Sequence, residues 1–292
     1  MALRYIFAML AGLVFARPVL ASDDKSAEAP GEVSGQVMPG PFDGLARNFA
    51  NSFVGLNFGF HLAAVAATAT MTSQDVDLSA HNYFHDHPRW GRAAYPAVIL
   101  GVAGPVALFG GLHIAGRTSG NPETVGAAFA VLQSGVLTLG YVTLLKLVTG
   151  RPAPRDDYIP SLAPDEAALS RTFRPGIDRG GVIAGWPSGH VAVTTAMLSS
   201  LAAYYPDSLL LKVVLVAGSA GMMLGVSSFE AGGMHWASDA VAGALMAIPI
   251  GLSTGQGMRR LVQDEQARSQ SAWFVGPSLR ADMTGAVLGH PF

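Results

Sequence analysis

The chain has 292 residues, half of them apolar and 13% charged, with a formal net charge of −2; ordinary globular chains carry about 25% charged residues. That balance points to a membrane protein and excludes nucleic-acid binding through a basic surface. Cysteine is absent, which excludes disulfides, thiolate metal sites and a cysteine nucleophile.

Residues 1–21 read as a secretory signal: Arg4 precedes an apolar run from Tyr5 to Phe15, and Val19-Leu20-Ala21 forms a small-residue cleavage pattern. Arg17 interrupts the end of that run, so an uncleaved anchor is the alternative. Residues 22–52 follow as an arm, rich in Ser, Glu, Gly and Pro as far as 44, with no apolar periodicity, and disorder is expected there. The bundle proper is expected over 53–256. It opens with an apolar helix from Phe53 to Met71 that carries Asn57 and His61, and its composition leaves open whether it crosses a bilayer. Asp75 to Arg92 reads as a polar connector, either a solvated loop or an interfacial helix. Its His81, His85, Asp86 and His87 have the chemistry of zinc ligands, but nothing in the sequence orients the four groups, and no metal is expected.

The runs Ala93–Ala115 and Val125–Leu145 each reach the roughly 20 residues that a span requires, and Gly120-Asn121-Pro122 marks the turn between them. Leu147 to Pro187 is a long loop carrying Arg151, Arg155, Arg171, Arg174 and Arg179 among acidic residues. Loops of that length in a compact chain are functional or disordered. Helices are expected over 190–205, 209–226 and 236–252, broken at Pro206-Asp207 and at Gly232-Gly233; their Ser, Ala and Gly suit close helix packing. The fold class is therefore all-α, a membrane-embedded bundle of five to six helices. The tail, 257–292, opens on Arg259-Arg260 and ends in apolar stretches at Trp273-Phe274-Val275 and Ala286-Val287-Leu288 that pattern as a short β-hairpin.

The chemistry concentrates at helix ends. Gly185-Trp186-Pro187-Ser188-Gly189-His190 delivers a histidine onto the first turn of a helix, where outward N–H groups and the positive end of the dipole favour an anion. His235 and Asp239 lie one turn apart, so the carboxylate can fix the tautomer of the imidazole and stabilise its charged form. With alternating spans, Lys146, His190, His235 and Asp239 fall on one side of the bundle. Two histidines, a lysine and an anion-ready turn make a phosphate or oxyanion site, one histidine attacking phosphorus and the other protonating the leaving oxygen.

These blocks carry a family likeness. Lys146 with Gly150-Arg151 and Pro154, then Pro187-Ser188-Gly189-His190, then Ser228 with His235-Trp236-Ala237-Ser238-Asp239, resemble the three-part signature of the type 2 phosphatidic acid phosphatases and vanadium haloperoxidases, over roughly residues 93–252. The resemblance implies metal-independent, cofactor-free hydrolysis of a phosphomonoester or pyrophosphate through a phosphohistidine, with a phosphorylated lipid as the expected partner. By position, His235 is the nucleophile, Asp239 its orienting carboxylate and His190 the general acid, while Lys146, Ser188 and Gly189 hold the phosphate. Two departures stand out. The arginine slot of the first block is filled by Ala153, and that of the third block by Phe229, so both arginines that would grip the phosphate are replaced. Arg151 or Arg155 is the expected substitute for the first. The losses count against the haloperoxidase reading, which needs several cations around vanadate, and they leave a competing class: a degenerate member that binds a phosphorylated lipid, or acts as a membrane interaction protein, without turnover.

With the signal cleaved, the mature N-terminus lies outside. The site then faces the cytoplasm if 53–71 spans and the periplasm if it lies at the interface; the second places Arg259-Arg260 inside, as the positive-inside rule favours. The expectation is a bacterial inner-membrane protein with a periplasmic active site, a soluble periplasmic bundle being the alternative.

Overall fold

A computed structural model describes residues 38–154, 166–174, 185–271, 274–280 and 283–289. The expected signal and most of the arm lie outside the described residues, as do Arg155 and Arg179. The helices are α1 (Leu45–Asn51), α2 (Leu56–Ser73), α3 (Val76–Asp86), α4 (Arg89–Ala93), α5 (Tyr95–Ser119), α6 (Pro122–Thr149), α7 (Glu166–Ser170), α8 (Gly189–Tyr204), α9 (Leu209–Ser228) and α10 (Ala237–Ser271), with a short 3-10 turn at Phe229–Ala231. Strands β1 (Phe274–Arg280) and β2 (Met283–Gly289) pair antiparallel, Phe274 opposite Gly289 and Arg280 opposite Met283.

Local chemistry sets the helix ends. Gly120 takes the left-handed conformation that stops α5, and Asn121 then caps α6 by accepting from Thr124 N at 3.2 Å, with Pro122 in the first turn. The Ser208 side chain caps α9 in the same way, accepting from Leu211 N.

At the centre, α10 packs along α8 with almost no side chain between them. Gly243, Ala247, Gly251 and Gly255 follow one another a turn apart on α10. A Cβ at Gly243 would lie 2.7 Å from Ser188 O, one at Gly251 2.3 Å from Ala196 O, and one at Gly255 2.2 Å from Ser200 O. Small residues on both helices let the backbones touch, and this close seam seats the start of α8 against the start of α10.

Four helical segments, Arg89–Ser119, Pro122–Thr149, Leu209–Ala231 and Ala237–Ser269, are long and apolar enough to cross a membrane, and α1 with α2 form a pair bent by 63° that passes the same test as one unit. The outer faces are apolar: Leu62 and Val65 on α2, Ile99, Val102 and Val106 on α5, Leu139 and Leu144 on α6, and Leu210 and Val213 on α9 are all exposed. Water-soluble surfaces rarely carry so continuous an apolar belt, and the chain is an all-α membrane helix bundle. α8, with 16 residues, is shorter than a span and is enclosed by α6, α9 and α10.

Three expectations are corrected. The arm does not extend to 52: α1 forms within it, and buried Asn48 donates to Gln133 Oε1 of α6. Of the two readings of residues 75–92, the solvated loop is replaced by a helix, because α3 turns Asp77, His81 and Phe84 inward. The last helix does not stop at 252. Beyond that point α10 is amphipathic rather than apolar, and Met258 and Val262 remain buried, Met258 in the same core cluster as Tyr204 and Val125, so packing carries the helix through the expected 256/257 boundary.

Candidate active site

Every element that carries expected site chemistry arrives at the same end of the bundle. α6 and α9 finish there, and α8 and α10 begin there. The 185–188 segment is fixed between them by backbone and tryptophan contacts: Trp186 Nε1 donates to Thr68 Oγ1 on α2 at 2.8 Å, Thr149 Oγ1 donates to Trp186 O at 3.0 Å, and Ser188 N donates to Asp239 O at 2.9 Å. Gly185 is required here, since its φ is +100° and a Cβ would sit 2.6 Å from Arg151 O. On the other side, Met234 N and His235 N both donate to Val226 O, which ties the approach to α10 onto the last turn of α9.

The geometry brings the two histidines together. The ring centroids of His190 and His235 are 6.5 Å apart at an interplanar angle of 63°. His235 Nδ1 lies 3.6 Å from Asp239 Oδ2, just beyond hydrogen-bond length, and Asp239 Oδ2 also accepts from Trp236 N at 3.2 Å. Lys146 reaches the same end from α6, donating from Nζ to Gly185 O at 3.4 Å. Ser188 Oγ is fully buried without a protein partner, at the mouth of a helix whose first-turn N–H groups lack intrahelical acceptors.

Burial tunes both rings. His235 is driven down to about 4, chiefly because enclosure disfavours the imidazolium, and Lys146 and His190 add to the effect while Asp239 opposes it. His190 is also held below its ordinary 6.5, by burial first and by Lys146 second. At neutral pH both rings are therefore mostly neutral, and an arriving anion favours protonation of His190.

Arg151 occupies a different place from the one expected. Its Nη1 donates to Ser238 Oγ at 2.7 Å and to Asp239 Oδ1, its Nη2 donates to Asp77 Oδ2 at 2.6 Å and to Ser170 O, and its Nε donates to Ser170 O. All five guanidinium N–H groups are thereby committed to protein acceptors, so Arg151 is not available to grip phosphate oxygens. The side chain is fully buried, with the rings of Phe173 and Trp236 at 5.1 and 5.9 Å. The two replaced arginine positions are also closed off from that role. Ala153 is buried, and the Phe229 ring packs at 5.0 Å against Tyr95.

Sequence reasoning missed Asp77 altogether. It accepts from Ser238 N at 2.8 Å, from Ser238 Oγ at 2.6 Å and from Arg151. No short-range signal marks it, because its partners lie far along the chain. His81 of α3, and His87 just past its end, go elsewhere: His81 places Nδ1 2.8 Å from Gly232 O, and His87 places Nδ1 2.7 Å from Tyr83 O. Among the described residues no group of three or more His, Asp or Glu is arranged to hold a metal ion.

No curated protein and no solved structure matches the chain significantly. Residues 124–262, from the first turn of α6 to the buried Val262 of α10, match the family model of the PAP2 superfamily. That stretch contains Lys146, the turn ahead of α8, and the His235–Asp239 pair, and it is residues 124–262 that belong to the PAP2 superfamily.

Proposed function

We propose that this chain is a membrane phosphatase that hydrolyses a lipid phosphomonoester or pyrophosphate, without metal or other cofactor, through a phosphohistidine. The observation that carries the reading is the 6.5 Å approach of the His190 and His235 rings, with Asp239 behind His235. His235 attacks phosphorus with Nε2, and the bond from phosphorus to the leaving oxygen breaks as His190 donates a proton to that oxygen. Water then attacks the phosphorus and gives its proton to His190, and the P–N bond breaks with its electron pair returning to Nε2. Lys146, Ser188 Oγ and the N–H of Gly189 hold the phosphoryl oxygens, an arrangement of the oxyanion-hole type. Neutral His235 suits a nucleophile, and burial favours that form.

The apolar belt supports a substrate delivered in the bilayer, and the location proposed is the bacterial inner membrane with the site on the periplasmic side. The test is phosphate release from phosphatidic acid vesicles in the presence of a chelator. The parent protein releases phosphate and His235→Ala does not; equal release by both would remove the claim.

A second reading has its own observation. Ala153 is buried, Phe229 is packed on Tyr95 and Arg151 is fully engaged, so phosphate is gripped by fewer cations than the family signature provides. One lost donor of this kind costs about a hundredfold or more in rate. A protein that binds lipid phosphate without turnover would release no phosphate yet retain phosphatidic acid vesicles in a manner lost in Lys146→Ala.

A further inference from the structure

Behind the histidine pair a buried chain of alternating charges extends from Asp239 to two residues, Arg151 and Asp77, to which the proposed chemistry gives no part. Asp77 on α3 holds Arg151, Arg151 holds Oδ1 of Asp239, and Oδ2 of Asp239 faces His235 Nδ1. Asp77, Arg151 and Asp239 have side chains with no solvent exposure. Ser238 locks the chain laterally: its N–H and Oγ donate to Asp77, and its Oγ accepts from Arg151 Nη1.

The arrangement sets up a competition. A carboxylate whose one oxygen is bound by a guanidinium gives less of its charge to an imidazole on the other oxygen. Arg151 therefore fixes the orientation of Asp239 but also draws on its charge, and Asp77 draws Arg151 the other way. The three charges sum to −1, which leaves one negative charge to serve His235. Without Asp77 the sum is zero.

We infer that Asp77, acting through Arg151, is a positioning residue for the histidine chemistry: it keeps Asp239 oriented and sufficiently negative to hold His235 with its proton on Nδ1 and its Nε2 free. The inference rests on the reading of His235 as nucleophile, and its test separates the two. The charged and titratable groups around His235 are Lys146 from α6, His190 from α8 and Asp239 from α10, with Arg151 and Asp77 behind Asp239 and His81 from α3 against the ring of Trp236.

The experiment is a double-mutant cycle on the full chain in phosphatidic acid micelles, with Asp77→Asn, Asp239→Asn and the pair. If Asp77 acts through Asp239, Asp77→Asn lowers kcat by about tenfold or more with KM changed by less than about threefold, and it has less than about a twofold effect once Asp239 is Asn. Losses that multiply, or an Asp77→Asn protein with the parent's kcat, overturn the inference. Should Asp77→Asn fail to fold, Ser238→Ala keeps every charge and the backbone N–H to Asp77 and removes only the hydroxyl contacts to Asp77 and Arg151; a smaller loss of kcat with the same non-additivity is expected, and parent-like kcat overturns it. The second readout needs no turnover. In protein labelled with ¹⁵N-histidine, with the His235 signals assigned from His235→Ala, the parent shows the Nδ1–H tautomer and Asp77→Asn or Ser238→Ala shows a mixture. A parent that holds the tautomer but releases no phosphate sinks the phosphatase reading alone. Variants with the parent's tautomer sink the positioning role alone.

Discussion

The acid–base roles proposed for the two histidines predict the pH range of activity, and pH is the perturbation that tests them. The rate constant kcat/KM reports ionisations of the free enzyme. His235 must be neutral to attack, so activity is gained as pH rises through about 4, where burial places this ring. His190 must carry the proton it donates, so activity is lost as pH rises through its own value, which burial and Lys146 hold below 6.5. The plateau therefore lies on the acid side of neutrality, between those two values. At about pH 8, a group titrating no higher than 6.5 is protonated in at most roughly 3% of molecules, so kcat/KM falls at least about 30-fold below the plateau. The assay is phosphate release from phosphatidic acid micelles from about pH 3.5 to about 8.5, repeated with His190→Ala. The variant matters because a phosphomonoester has its own ionisation near about 6. His190→Ala loses about 10²–10⁴-fold in rate, and its remaining activity lacks the limb that belongs to His190. A kcat/KM that climbs from neutral to alkaline pH, or a His190→Ala profile with the parent's alkaline limb, would refute the assignment of His190 as acid.

Further expectations concern the frame around the site. Gly243→Ala places a methyl group 2.7 Å from Ser188 O; it lowers stability by about 1–3 kcal/mol in thermal unfolding and lowers phosphate release by displacing the Ser188–His190 turn, and an unchanged melting profile would contradict the close seam. Tyr204→Phe removes the hydroxyl that donates to Glu123 Oε2 at 3.1 Å at the opposite end of the bundle. It costs about 1.5–3 kcal/mol and leaves kcat unaltered, so a large kcat loss would mean that the two ends are coupled. Ala153→Arg forces a long cation into a buried position and destabilises by about 1–3 kcal/mol through overpacking; a fully stable, more active variant would show that the slot opens onto the site after all.

Parts of the site were visible before any coordinates. The Ser188-Gly189-His190 turn and the His235–Asp239 pair are local patterns whose geometry follows from helix periodicity, and alternation of the apolar runs was enough to put Lys146 at the same end. Helix limits were less visible. The extension of α10 to Ser271 and the formation of α1 within the arm depend on neighbours: Met258 in one core cluster with Tyr204, and Asn48 against Gln133. Arg151 shows the difference most directly. Its place in the first block reads as a phosphate ligand, yet the side chain turns inward, because α3 brings Asp77 and α10 brings Asp239 to meet it.

By itself the sequence determined that this is a helical membrane bundle with two histidines, a lysine and an anion-ready turn at one end. Apolar run length, helical spacing and turn residues are properties of near neighbours in the chain. Only the tertiary structure decided which charges line the candidate site and which hold the frame. A buried guanidinium goes wherever the surrounding elements supply enough acceptors for all its donors, and here those acceptors come from residues 77, 170, 238 and 239.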